Sequence, residues 1–198
     1  PEEEFDVKHY VALGLAYNNT RLDNAAVPKR GFVIDIGTDY KLNTQETEFN
    51  NITFSTNIAA YIPFNQRKTI VLATNIGGSH TEGEIEIFHY NYLSNMSRLR
   101  GFKTNRFAGQ SIAYHATDLR VNVIDKHGTL PFKLGVFGAF DYGRAWFDGD
   151  GNGTGFEDWH TSVGGGIYVT PLDLFGFKFG YYQGEDDSQI IIGGGLTF

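Results

Sequence analysis

No cysteine occurs among the 198 residues, so there is neither a disulfide framework nor a thiolate metal site. No apolar run approaches the roughly 18 residues of a membrane helix. Mean hydropathy is −0.27, and a helical membrane protein is excluded. No stretch repeats with a convincing helical period. The six histidines, His9, His80, His89, His115, His127 and His160, form no HxH or HExxH pair. Nucleophile elbow, P-loop and dinucleotide fingerprint are also missing. The sequence therefore argues for a non-enzyme without cofactors. An excess of positive charge is absent too. The formal charge of −7 argues against a nucleic-acid partner. The chain opens PEEEFDV, without a signal peptide, which implies processing or excision from a longer polypeptide.

What is present is period-two alternation. Val11, Leu13, Leu15 and Tyr17 share one face, and Gly14 and Ala16 the other. Phe175, Phe177, Phe179 and Tyr181 oppose Gly176, Lys178 and Gly180. Ten such strands are predicted, near 5–17, 30–41, 47–62, 68–77, 82–92, 111–125, 132–147, 159–170, 175–184 and 188–198. Each has the roughly 10 residues of a tilted membrane strand. Aromatics make up 15% of the chain and glycines number 25, as an aromatic-girdled barrel with close backbone approaches requires. Long loops at 18–29, 93–110 and 148–158 alternate with tight turns at 42–46, 125–131 and 171–174, the outer-membrane barrel pattern. An even strand count would put both termini on the short-turn side. Tyr17, Tyr40, Tyr90, Tyr92, Trp146, Trp159, Tyr181 and Tyr182 would form a girdle near the long loops. A soluble sandwich or lipid-binding barrel also alternates. However, lysine is scarce within these strands, and the faces opposite the apolar rows are Gly, Thr, Ser, Asn and Asp. The expected fold class is thus all-β: one antiparallel transmembrane β-barrel domain over 1–198.

One segment stands out against the acidic chain. SNMSRLRGFKTNRFAGQ, 94–110, carries Arg98, Arg100, Lys103 and Arg106 and no acid. FHYNYLSNMSRLRGFKTNRFAG followed by SIAYHATDLRV resembles the sixth extracellular loop and flanking strands of the BamA/TamA superfamily, the bacterial surface antigen barrels. Leu99-Arg100-Gly101-Phe102 matches the (V/L)RG(F/Y) motif, and Asn105 to Gly109 the segment after it. GAFDYGRAW resembles the FxDxG strand, with Asp141 and Gly143 in place and Ala139 where the family has phenylalanine. In TDLR, Asp118 stands where glutamate is usual. HTSVGGGIYVTPLDLFGFKFGYY and the aromatic C-terminus also match, so the resemblance spans about 84–198.

The resemblance implies an outer-membrane barrel that inserts or translocates polypeptide, or anchors an upstream passenger or POTRA-type domain. The family barrel has sixteen strands, so this chain reads as its C-terminal ten, a shortened barrel, or one completed by a second chain. A small structural or pore-type outer-membrane barrel is the alternative. Expected partners are outer-membrane lipid and client polypeptide, in the bacterial outer membrane. The basic loop is expected to fold inward and occlude the lumen. A buried guanidinium must be paired, because an unpaired one costs several kcal/mol. Alternation turns Asp35, Asp39, Asp118 and Asp141 inward, so Arg100 is expected on Asp141 with Asp118 nearby. Gly101 allows the tip and Gly143 leaves it space, with Phe102 beside them. Gly193, Leu196 and Phe198 resemble a C-terminal targeting strand, its apolar residues facing lipid. DGDGNGTGFED, 148–158, has a weak calcium spacing in Asp148, Asp150, Asn152 and Asp158. Tryptophan stands where that loop needs its bidentate glutamate, so a solvated loop is the plainer reading.

Overall fold

The structure is a computed structural model and describes residues 9–45, 50–94, 98–128, 131–149, 158–172 and 174–198. Nine strands form one antiparallel sheet: β1 (Tyr10–Leu22), β2 (Gly31–Asn43), β3 (Asn51–Pro63), β4 (Ile70–Gly83), β7 (Ser111–Lys126), β8 (Phe132–Trp146), β9 (His160–Pro171), β10 (Phe177–Gly184) and β11 (Ser188–Gly194). They pair in chain order, and the longest connection, the 84–110 excursion, lies between β4 and β7. That excursion holds a two-rung ladder of β5 (Asn91–Tyr92) with β6 (Ala108–Gly109). β1 and β11 are the margins of the sheet, and among the described residues each pairs on one side.

Alternation sets the two faces. Leu13, Leu15 and Ile192 point outward at 71, 73 and 74% exposure, where lipid rather than protein would cover them. In β10, Phe177, Phe179 and Tyr181 are exposed while Gly180 and Tyr182 are buried. The buried side chains lie on the concave side. There Val27, Phe137, Tyr168, Tyr182 and Leu196 form one apolar cluster. A second joins Leu93, Leu99 and Phe102 to Ile112 and Tyr114. No described helix is long and apolar enough to cross a membrane, which says nothing against crossing by strands.

Four expectations from sequence need correction. The alternation at 82–92 does not make a tenth strand. β4 runs unbroken to Gly83, whose φ of +105° turns the chain out of the sheet, and a short 3₁₀ turn follows at Ile87–His89. Nine strands place the start of β1 and the end of β11 at opposite ends of the sheet, so the even-count argument fails. β1 continues to Leu22, so its connection, 23–30, lies with the short turns, and the 42–46 turn lies at the end of the excursion. Tyr182 belongs to no girdle, since it is wholly buried inside.

Candidate functional site

The 84–110 excursion folds back through its own ladder. Asn91 fastens that ladder to β4: its Nδ2 donates to Thr81 Oγ1 at 3.0 Å and to the Gln110 carbonyl at 2.7 Å, and its Oδ1 accepts from Ser79 Oγ at 2.6 Å. Beyond it the loop is cross-braced. The Leu93 N–H donates to the Phe107 carbonyl at 2.9 Å, and Ser94 Oγ to the Lys103 carbonyl at 2.8 Å. Leu93, Leu99 and Phe102 then pack on Ile112 and Tyr114 of β7. This apolar burial drives a polar, basic segment against the inner wall.

Arg100 is at the tip and 1% exposed. Its Nε donates to Asp141 Oδ2 at 2.9 Å and its Nη2 to Asp141 Oδ1 at 2.5 Å, a two-pronged pair on β8. Nη1 donates to Asp118 Oδ1 on β7 at 2.6 Å and to Tyr182 Oη at 3.3 Å. The guanidinium carbon lies 4.7 Å from the Tyr182 ring centre. Arginine suits this position because its planar fork matches a carboxylate. Asp141 also accepts from the Arg100 backbone N–H at 3.0 Å and from Ser162 Oγ at 3.1 Å.

Gly101 is a close approach. A Cβ there would lie 2.6 Å from the Gly184 nitrogen and 2.6 Å from Ser162 Cβ. Phe102 fills the space above Gly184, where any side chain would meet its ring. Gly143 gives room to Leu93. Asp35 and Asp39 are not where the loop's cations go. Asp35 accepts from Asn18 and Asn57, and Asp39 lies beside Gly14. Arg106 turns instead to the β10–β11 tip. It meets Asp186 at 2.5 Å and Asp187 at 3.6 Å, while Phe107 stacks on His160 at 3.8 Å. The Asp187 carboxyl is held below its ordinary value. Desolvation opposes this, but the Ser188 and Lys103 N–H groups and the charges of Lys103 and Arg106 prevail.

Two further cations belong to the site. Arg120 Nη2 donates to Asp118 Oδ2 at 3.1 Å, and Lys178 Nζ lies 3.4 Å from the same oxygen. Alternation carried the signal for both. Arg120 is two residues beyond Asp118 on the inward face, and Lys178 shares the inward row of β10.

The C-terminal residues depart from expectation. β11 ends at Gly194, and Gly195 takes φ +84°, a left-handed value that glycine tolerates. This reverses the alternation. Gly193 stays inward in β11, but Leu196 swings in and packs with Val27, Phe137, Tyr168 and Tyr182, its N–H donating to the Ala26 carbonyl at 2.8 Å. The Phe198 N–H donates to Tyr61 Oη at 3.0 Å, and its ring centre lies 5.4 Å from the Arg100 guanidinium carbon. Leu196 and Phe198 are thus lumen residues, not lipid-facing ones. In the 148–158 stretch, Asp150 and Asn152 lie outside the described residues. Asp158 engages Arg144 at 3.0 Å, and the Asp148 N–H donates to Gln110 Oε1.

Among solved structures, this chain is similar to the crystal structure of BamA from Haemophilus ducreyi lacking POTRA domains 1-3. The TM-score is 0.72 at 16% identity, over 93% of this chain and 42% of that one. At that identity the likeness shows a shared fold, and the chain spans less than half the length of that structure. No curated protein matches. The Omp85 superfamily domain matches residues 3–198, and with nearly its whole length covered, the chain belongs to the Omp85 superfamily.

Proposed function

We propose that this chain is an outer-membrane barrel that inserts or translocates polypeptide, or anchors an upstream domain, with the Arg100 loop as its lumen plug. The observation that carries this reading is the paired, buried guanidinium holding a loop inside a strand-built wall. Such a loop stays put at rest and can leave only if Asp118 and Asp141 find other partners. The activity is one of binding and conformational change, not bond chemistry. Its partners are outer-membrane lipid, a client chain or a POTRA-type domain, and a second barrel chain if the margins β1 and β11 require one, because exposed strand edges seek pairing. Vesicles carrying the protein test it. An unfolded outer-membrane client should fold into them faster than into empty vesicles, and Arg100→Ala should change that rate. An unchanged rate, together with a large steady conductance through the intact protein, would favour a simple pore instead.

A further inference from the structure

The two ends of the sheet carry opposite charge. At the excursion end the acids Glu82, Glu84, Glu86, Asp148, Asp158, Glu185, Asp186 and Asp187 outnumber the cations Lys41, Arg98, Lys103, Arg106 and Arg144. The short-turn end is basic despite the chain's charge of −7. Arg21, Lys29 and Arg30 frame the β1–β2 turn, Arg67 and Lys68 the β3–β4 turn, and Lys126 closes β7, against Asp23 and Asp125; a third acid, Asp173, lies outside the described residues.

These turns form one continuous rim. Lys68 Nζ bridges to Asp23 Oδ2 at 2.8 Å, tying the second turn to the first, and the Asn122 N–H donates to the Thr69 carbonyl at 2.8 Å, tying it to β7. The first turn is braced from within: Asp23 Oδ1 accepts from the Lys29 and Arg30 N–H groups, and Asn24 Oδ1 from those of Ala26 and Val27. Arg21, Arg30 and Arg67 are exposed. Among the described residues none of the three has a carboxylate within ion-pair distance.

Apolar residues are exposed between the charges: Phe64 at 60%, Leu174 at 62% and Phe175 at 59%. A rim facing bulk water would expose few of these. A rim at a membrane surface sets apolar rings at the acyl boundary and cations at the headgroups.

From this we infer that the short-turn rim is a docking surface for anionic phospholipid headgroups of the leaflet it faces, with Arg21, Arg30 and Arg67 as the principal contacts. The inference rests on the membrane-spanning reading above. It gives the basic residues of an acidic protein a common ligand.

The test is lipid selectivity. The full chain is reconstituted in phosphatidylcholine vesicles, and the immobilised fractions of spin-labelled phosphatidylglycerol and phosphatidylcholine are compared. Phosphatidylglycerol should associate several-fold more strongly, up to about fivefold for each cation that engages a headgroup. Salt near 1 M, where the screening length is about 3 Å, should reduce the preference. The R21Q/R30Q/R67Q variant should lose most of it, and R21K/R30K/R67K should keep it. Equal selectivity in the native and glutamine variants would overturn the inference. So would loss in the lysine variant, or no lipid preference in a protein that captures a soluble acidic polypeptide instead. Protein that neither integrates nor shows a heat-modifiable band would overturn the membrane reading and this one together.

Discussion

Replacing Arg100 with methionine keeps the length of the side chain and removes its charge. The two carboxylates would then fare differently. Asp118 retains Arg120 at 3.1 Å and Lys178 at 3.4 Å. Among the described residues Asp141 retains the Ser162 hydroxyl at 3.1 Å and the backbone N–H of residue 100, so it becomes a buried charge with no cation among them. Removing one partner of a buried pair costs about 3–5 kcal/mol, and here that cost falls on the docked state of the loop, which the undocked state escapes. At about 1.4 kcal/mol per tenfold, the open population should rise roughly 10²-fold to several thousandfold. A cysteine placed at Leu99, which is wholly buried, reports it. The chain has no other cysteine, so maleimide labelling is read without background. Labelling in the L99C background should be slow, and in L99C/R100M faster by that factor. Adding Asp141→Asn removes the stranded charge and should return much of the protection. Equal labelling rates with and without Arg100, or a triple variant as open as L99C/R100M, would refute the charge argument.

Gly101→Val would drive a side chain into the Gly184 backbone, only 2.6 Å from the Cβ position, and should lower the heat-modifiability midpoint by several degrees; an unchanged midpoint would show that the tip is not seated there. Gly195→Val forces a β-branched residue into φ +84°, at about 1–2 kcal/mol, and should release Leu196 and Phe198 to carboxypeptidase. Resistance equal to native would mean that the tail enters the lumen without that reversal. Asp187, depressed below the ordinary carboxylate value of 3.8, contributes stability that is present above that pH and is lost as pH falls through its lower folded value. The heat-modifiability midpoint should therefore be flat from pH 6 to about 4, fall below that, and lose part of the fall in Asp187→Asn. An equal loss in native protein and in Asp187→Asn would refute the assignment to Asp187.

Local pattern was enough to determine the strands, their faces and the inward charges. Period two is a property of adjacent residues, so Asp118, Asp141, Arg120 and Lys178 could be placed inside from the chain alone. An uncompensated cation inside a wall demands an acid, but that Arg100 is the cation, rather than Arg98, Lys103 or Arg106, came from the resemblance of Leu99-Arg100-Gly101-Phe102 to the family motif. Other features depended on the assembled sheet. Whether 82–92 forms a strand was settled by competition. The same alternating residues could extend the sheet or turn at Gly83 and brace the plug, and contacts far apart in sequence chose the plug. Arg106 left Asp35 and Asp39 for Asp186 and Asp187 because the β10–β11 tip comes within reach only when the barrel wall curves. The tail was misread for a related reason. One glycine at a left-handed φ inverts every side chain after it, and nothing in the spacing of Leu196 and Phe198 records that inversion. Tertiary structure decided it, by offering Leu196 the apolar pocket of Val27, Phe137, Tyr168 and Tyr182, and Phe198 the guanidinium of Arg100.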